Sequence, residues 1–227
     1  MRGRVYDTRV VERREEDVQV SCGNGSGRPR IIEGRRTGSG GLRVFRPPCY
    51  SAPMSTARRV AILSTGGTIE KTYNESDGTL TNQRSVLDIM LAGLVLHGVV
   101  IDRIPVMNVD SLEMTDEDHD RIAAAAARCT VSYDGLVVTH GTDRLHVTGE
   151  RLERKLGATL RIPVILTGAM KPFELRTTDA LQNLTEALLA VQIMPPGVYV
   201  AMHNRVLRFP GVVKDLERMT FRRADER

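Results

Sequence analysis

Short apolar runs alternate with longer stretches of helical periodicity along the chain from Arg59 onward. The apolar runs are predicted to be strands, and they cover residues 59–63, 99–106, 135–138, 162–166 and 197–202. Between them, apolar side chains recur at the spacing of one helix face, and the last such stretch ends at Pro195-Pro196. Strands that alternate with helices of about 10–15 residues predict an α/β fold, a three-layer, doubly wound and mostly parallel sheet of the flavodoxin or Rossmann type.

Two of the predicted helices start with capping signals. Ser85 and Asp88 have the spacing of a capping box, in which each side chain accepts a hydrogen bond from the other residue's backbone. Thr115 precedes three acidic residues at 116–118, and a helix N-terminus favours both a threonine cap and negative charge. We therefore expect helices to begin at these two places.

The two ends of the chain depart from the alternating pattern. Residues 1–53 contain eight Gly, eleven Arg and no Lys, without sustained periodicity, which is typical of a disordered segment. We interpret Met54 as the native start and 1–53 as a tail that is not native. A genuine disordered arm and an Arg-rich transit peptide are the alternatives, and the acidic run at 15–17 disfavours the latter. Residues 54–210 then form the α/β domain, and 211–227 are expected to be a basic, solvated tail.

The charge distribution changes how the net charge of +4 is understood. The eleven Arg of residues 1–53 outnumber six acidic residues there, which leaves +5 in that segment and −1 in the remainder. We therefore expect no nucleic-acid partner, since such a partner needs clustered Lys and Arg on the folded part. Three cysteines form no even disulfide set or CxxC pair, and no apolar run approaches the length of about 18 residues that spans a membrane. A cytoplasmic protein without a membrane partner is the expectation.

Polar residues gather where the predicted strands end. Thr65 and Thr68 follow the first strand, and the later strands are followed by 110–111, 139–143 and 169–171. Ligands of doubly wound folds bind at the carboxyl ends of the strands, so these residues are expected to share one crevice. A glycine followed by a threonine at the start of a helix can present backbone N–H groups to an oxyanion. For any one of these threonines, simple helix capping is the ordinary alternative.

Two of these strand-end segments, TGGTIEKTY at 65–73 and VVTHGTD at 137–143, resemble the signature segments of the bacterial-type L-asparaginases. DSLEM at 110–114, TGAMKP at 167–172, DALQNL at 179–184 and GVYVAMHN at 197–204 agree with the same family. The resemblance covers about residues 54–210. It is closest to the short, single-domain form, which has the N-terminal asparaginase domain without the usual smaller C-terminal domain.

The resemblance implies a role for each candidate residue. Thr68 matches the nucleophile, and Tyr73 matches a tyrosine that polarises it from a lid over residues 70–83. Thr142 and Asp143 match the second hydroxyl and the carboxylate that holds the substrate amine, and Ser111 matches a contact to the substrate carboxylate. The remaining substrate-binding candidates lie in the same segments or supply backbone donors, and they are Gly67, Asp110, Gly141 and Ala169.

Three positions depart from the family pattern. The family's catalytic lysine is expected near Met194, where this chain has none. Lys171 could supply the positive charge instead, although the family usually has an arginine there and a structural role is the alternative. Leu112 stands where the family has a substrate-binding glutamine, and Arg144 where it has a threonine.

The function implied is hydrolysis of L-asparagine to L-aspartate and ammonia through an acyl-threonine, in a homodimer or homotetramer and without a cofactor. No metal site is expected, because the five histidines lack HExxH spacing and cysteine partners. The departures at Leu112 and Arg144 leave open another small amide, such as glutamine, as the substrate. The missing lysine and second domain leave open a catalytically weak amino-acid-binding module.

Overall fold

The computed structural model describes residues 57–82 and 85–226, so the predicted tail 1–53 lies outside the described residues. These residues belong to the second of two units into which the chain divides, Ser51–Arg227. Its six-stranded sheet has the order β4-β1-β5-β6-β7-β8, in which the first five strands are parallel and β8 is antiparallel at the edge. The strands are β1 (Arg58–Ser64), β4 (Val99–Pro105), β5 (Gly135–Thr139), β6 (Pro163–Thr167), β7 (Gly197–Met202) and β8 (Arg205–Arg208).

Helices cover both faces of this sheet, as the sequence predicts. Helices α1 (Leu87–Ala92) and α4 (Ala180–Ile193) pack on one face, and α2 (Asp116–Cys129) and α3 (Leu145–Leu156) pack on the other. Along β1, Val60 and Ile62 join the apolar cluster on the α1–α4 face, whereas Ala61 and Leu63 join the cluster on the opposite face. The α/β prediction is therefore confirmed. It could be made from the sequence because a strand buried on both faces is a continuous apolar run.

The two capping predictions have different outcomes. Thr115 and Asp118 form the reciprocal capping box of α2, with Thr115 Oγ1 accepting from the Asp118 backbone at 3.3 Å and Asp118 Oδ2 accepting from the Thr115 backbone at 3.0 Å. The box predicted at Ser85 is wrong, because α1 begins one residue later, at Leu87, with Val86 as its N-cap. Arg103 competes for both partners: it donates to Ser85 Oγ at 2.8 Å and forms an ion pair with Asp88.

Two antiparallel hairpins flank the sheet. The lid hairpin comprises β2 (Thr72–Asn74) and β3 (Thr79–Thr81), and the lysine hairpin comprises β9 (Val212–Asp215) and β10 (Thr220–Arg223). The prediction of a solvated tail at 211–227 is therefore wrong for residues 211–226. Val212 and Phe221 are buried in the core on the α3 face, and acidic residues pair with the basic ones that suggested a tail.

The strand order also fixes where a ligand site belongs. Counted along the chain, the parallel strands have the order 2-1-3-4-5, so the connections from β1 and from β5 run in opposite directions along the sheet. A crevice opens between two such neighbouring strands at their carboxyl ends. Among residues 57–82 and 85–226, no helix is both long and apolar enough to cross a membrane.

Candidate active site

The loop after β1 presents Thr68 at the carboxyl end of the sheet. Gly66 and Gly67 have φ values of 93° and 84°, which are strained for residues with a Cβ, and a 3-10 turn follows over Thr68–Glu70. Ile69 is fully buried in the α1–α4 core, whereas Thr68 remains partly exposed. Thr65, by contrast, is buried, and its hydroxyl donates to the Thr139 carbonyl oxygen at 2.8 Å. The loop thus anchors one threonine and leaves Thr68 facing out.

Glycine contacts bring three strand-end loops together. A Cβ added to Gly67 would overlap the Gly141 backbone nitrogen and lie 2.9 Å from the His140 carbonyl carbon. A Cβ added to Gly141 would overlap Ser111 Oγ. The loops after β1, β4 and β5 therefore pack directly against one another, and Thr68 and Thr142 are the residues that follow the two contacting glycines.

Lys214 completes a polar cluster with Thr142 and Asp143. Its ammonium donates to Thr142 Oγ1 at 2.9 Å and to Asp143 Oδ1 at 2.7 Å. The Lys214 side chain is only 10% exposed, against 37% for that of Asp143. A buried cation is therefore held between a hydroxyl and a carboxylate, with part of the carboxylate still open to solvent.

Lys171 lies outside this cluster, and its role as the catalytic lysine stays a prediction. Its Nζ donates to Thr177 Oγ1 at 3.3 Å on the exposed side of the loop after β6. Asp179 holds that loop by accepting from the backbone nitrogens of Met170 at 2.9 Å and Lys171 at 2.9 Å. Sequence reasoning missed Lys214 because residues 211–227 were assigned to a tail, although Val212-Val213 before it already suggested a strand.

The other predicted binding residues lie at the same edge with different surroundings. Asp110 accepts a hydrogen bond from Lys71 Nζ at 2.7 Å. Burial acts to raise the pKa of the Asp110 carboxyl, but the net shift is downward because this hydrogen bond favours the charged form. Ser111 Oγ is buried, and none of the described residues hydrogen-bonds it. Ala169, in the loop after β6, is fully buried in the apolar cluster on the α1–α4 face.

Tyr73 lies on the lid hairpin with 57% of its surface exposed. The hairpin is fastened at its first strand, where the Tyr73 backbone nitrogen donates to Glu174 Oε2 at 2.6 Å. The predicted lid began at Glu70, but Glu70 is 1% exposed and belongs to the interior. The exposed part of the predicted lid therefore starts beyond Lys71, which is itself bound to Asp110.

His140 is a buried neutral group in the loop before Thr142. Its Nδ1 lies 2.8 Å from the Gly141 carbonyl oxygen, which assigns the ring proton to Nδ1, and its Nε2 lies 2.8 Å from Thr148 Oγ1. Burial lowers the pKa of His140 to about 4. Both ring nitrogens are thus occupied in holding the loop. Within the part of the chain that the structure describes, no group of three or more His, Cys, Asp or Glu side chains could hold a metal ion.

The domain is a doubly wound α/β fold, and the loops at the carboxyl ends of its strands carry hydroxyls, a carboxylate and a largely buried lysine. Residues 59–218 match the family model described as Asparaginase, N-terminal, and the chain belongs to this family. The resemblance stated from the sequence is therefore confirmed.

Individual relatives agree with this membership. The chain is 35% identical to an L-asparaginase from Thermococcus kodakarensis over 151 residues, which are 66% of this chain and 45% of the relative. It is 33% identical to a glutamyl-tRNA(Gln) amidotransferase chain of Haloquadratum walsbyi over 63% of this chain and 33% of that protein. The solved structure of the Thermococcus kodakarensis enzyme superposes with a TM-score of 0.63, covering 73% of this chain and 51% of that one. The chain thus spans about half or less of the length of these relatives.

Proposed function

We propose that the protein hydrolyses L-asparagine to L-aspartate and ammonia through an acyl-enzyme on Thr68. The observation that carries this proposal is the bond pattern of Lys214, which donates to both Thr142 and Asp143 in the crevice where the Thr68 loop touches the Thr142 loop. A weak hydroxyl nucleophile needs a positioned carbonyl, a route for its proton and donors for the oxyanion. The hydroxyl, carboxylate and ammonium groups joined by Lys214 support the proposal because they can carry a proton and stabilise charge.

Substrate binding is assigned to two polar groups of the site, the partly exposed Asp143 carboxylate and the buried, unpartnered Ser111 hydroxyl. The exposed part of the Asp143 carboxylate suits the α-ammonium group of an amino acid. The unpartnered Ser111 Oγ suits the α-carboxylate, because a hydroxyl can donate to it. These two contacts would fix the amino acid at one end and direct its side-chain amide towards Thr68.

The reaction proceeds in two balanced steps. Thr68 Oγ1 forms a bond to the amide carbon, its proton passes through the site to the amide nitrogen, and the carbon–nitrogen bond breaks to release ammonia. Water then attacks the ester carbon, the bond to Thr68 breaks, and Thr68 recovers a proton as aspartate forms. Lys214 donates to Thr142 Oγ1, which leaves the hydroxyl hydrogen of Thr142 free to be donated to the reacting group. Tyr73 is the lid residue assigned to polarise Thr68.

The test is ammonia release by the full chain and its Thr68→Ala variant. We expect the variant to lose at least about 1000-fold in kcat, because no other group replaces the nucleophile. Thr68→Ser is the matched control, since it retains a hydroxyl and should keep measurable turnover. A Thr68→Ala variant that is folded by circular dichroism and as active as the wild type would refute the assigned mechanism.

A second candidate substrate is another small amide such as glutamine. Leu112, in the loop that carries Ser111, is 68% exposed, so the loop has an apolar contact where a family glutamine would bind substrate. The relatives that this chain is similar to also include proteins named as glutamyl-tRNA(Gln) amidotransferase chains. A panel of amides ranked by kcat/KM separates the candidates, and a melting temperature raised by asparagine without turnover would favour a binding module.

We also propose that copies of the chain associate as a homodimer or homotetramer. The outer side of α4 and the neighbouring edge strand expose Leu189 at 57%, Ile193 at 68% and Val206 at 41%. Adjacent exposed apolar side chains of this kind are typical of an interface. Light scattering after size-exclusion chromatography measures the state, and Ile193→Asp should shift an oligomer towards the monomer.

A further inference from the structure

We propose that Glu70 is a positioning residue, which fixes the loop of the nucleophile Thr68 to the loop of Thr142; its catalytic consequence depends on the proposed function. Glu70 lies two residues beyond Thr68, at the end of the 3-10 turn, and only 1% of its surface is exposed. Its carboxylate accepts a hydrogen bond from Thr139 Oγ1 at 3.1 Å. Thr139 is the last residue of β5 and immediately precedes the loop that carries Thr142.

Thr139 holds the Thr68 loop at both of its ends. On the near side, the Thr139 carbonyl oxygen accepts from Thr65 Oγ1 at 2.8 Å and from the Thr65 backbone nitrogen at 3.2 Å. On the far side, the Thr139 hydroxyl donates to Glu70 Oε1. Residues 65–70 thus form a short loop whose first and last residues are both bound to one residue of the neighbouring strand. We call this arrangement the Thr139 clamp.

The residues between the two ends explain why a clamp is needed. Gly66 and Gly67 provide the conformations and the close approach to the Gly141 loop, but glycines leave a chain with more freedom than any other residue. Burial of Ile69 anchors this loop in the core, and the Glu70 carboxylate adds a polar attachment to the strand that precedes the Thr142 loop. This attachment limits how far Thr68 can shift about the two glycines, and a displacement of about 1 Å at a reacting group can lower the rate roughly 100-fold.

Burial of a carboxyl at this position is costly for the fold. Burial raises the pKa of Glu70, while hydrogen bonds from Ser85, Thr139 and the Gly66 backbone and the positive charge of Arg103 act in the opposite direction. An apolar residue could occupy an interior site without this penalty, as Ile69 does beside it. An acid that lies inside the protein and reaches the neighbouring catalytic loop is therefore better explained by the contact it makes than by stability.

The clamp is tested from both of its partners. Glu70→Ala and Thr139→Val each remove the far-side hydrogen bond, and Thr139→Val leaves the carbonyl contacts of Thr65 in place. We expect each to lower kcat about 10- to 100-fold with KM changed less than about threefold, and the double variant to be no worse than the poorer single one, because both delete the same bond. Glu70→Gln keeps an acceptor oxygen at the same place and should stay within about threefold of the wild type.

Backbone hydrogen exchange gives a measurement that does not depend on turnover. The backbone nitrogens of residues 70 and 71 donate to the Gly67 and Thr68 carbonyl oxygens, so these amides report the order of the turn directly. In Glu70→Ala their protection should fall at least about tenfold while that of β7 is unchanged, and Glu117→Ala on the exposed start of α2 is the matched control. Unchanged protection would overturn the clamp even if the wild type released no ammonia. Absence of ammonia release in the wild type would instead refute the proposed function, and lost protection with unchanged kcat in an active enzyme would overturn the positioning role.

Discussion

The lid hairpin and the lysine hairpin each carry one side chain assigned to the chemistry, but the two are built in opposite ways. The lid hairpin exposes Tyr73 and is held at its base by polar contacts to Asp110 and Glu174. The lysine hairpin buries Phe221 in the core, directly across the strand pair from Lys214. One hairpin is therefore held by polar contacts at the surface, whereas the other is packed into the core beside its lysine.

Polar contacts reinforce the fixed character of the lysine hairpin. Thr220 Oγ1 lies 3.0 Å from Nδ1 of His203, whose Nε2 lies 2.9 Å from Asp179, the residue that also binds the loop after β6. At the other end, Glu150 of α3 accepts from the Gly211 backbone nitrogen at 2.6 Å. A cation that stabilises developing charge is most effective when it needs no rearrangement during the reaction, and these contacts provide that condition.

The largest expected effect comes from removing the fixed charge. Lys214→Met should lower kcat at least about 1000-fold, because Thr142 and Asp143 lose their shared donor in a buried setting. Lys171→Met is the matched control and should change kcat less than about threefold, since its ammonium binds Thr177 outside the cluster. Steady-state ammonia assays measure both variants. Equal losses in the two variants would contradict the assignment of Lys214.

Removing the apolar anchor of the lysine hairpin should have the next largest effect. Phe221→Ala is expected to lower the free energy of unfolding by about 3–5 kcal/mol, because a fully buried aromatic side chain is replaced by a cavity. Leu216→Ala, in the same hairpin but 71% exposed, should change it by less than about 0.5 kcal/mol. Urea titrations give both values. A stability loss as small for Phe221 as for Leu216 would show that the hairpin is not part of the core.

The smallest of the three effects belongs to the lid. Tyr73→Phe should lower kcat about 10- to 100-fold while the urea midpoint stays unchanged, because the lost hydroxyl sits on an exposed side chain. Tyr133→Phe removes the same atom from a tyrosine outside the crevice and should leave kcat unaltered. If Tyr73→Phe altered stability rather than turnover, the contrast between the hairpins would fail.

The parts of the fold that local pattern determines could be predicted from the sequence. The buried strands and the Thr115 cap follow from periodicity and from residues a few positions apart, and both are confirmed. The box at Ser85 failed because Arg103, 18 residues away, binds the same hydroxyl. Lys214 was missed because its contact is also long-range: it donates to a threonine 72 residues earlier, and the residues around Lys214 do not indicate that pairing.

The charged C-terminal segment illustrates a second limit of prediction from sequence. Its many arginines and acids resemble a solvated tail, yet the acids pair with the arginines, and Val212 and Phe221 reach the core. The strand-end loops of the site were easier to predict because a parallel sheet aligns its carboxyl ends by construction. The position of Lys214 depends on contacts between residues far apart in the sequence, whereas the strand-end loops that carry the threonines are positioned by the strand order of the sheet.

The backbone contact between Gly67 and Gly141 has a consequence for anyone who redesigns this crevice. Neither position can accept even a methyl group unless the facing loop of the same chain moves away. Mutant libraries that randomise one loop at a time and are selected for activity should therefore retain glycine at both positions. Substrate range must instead be changed from the rim, where Leu112 and the lid offer side chains with open space around them.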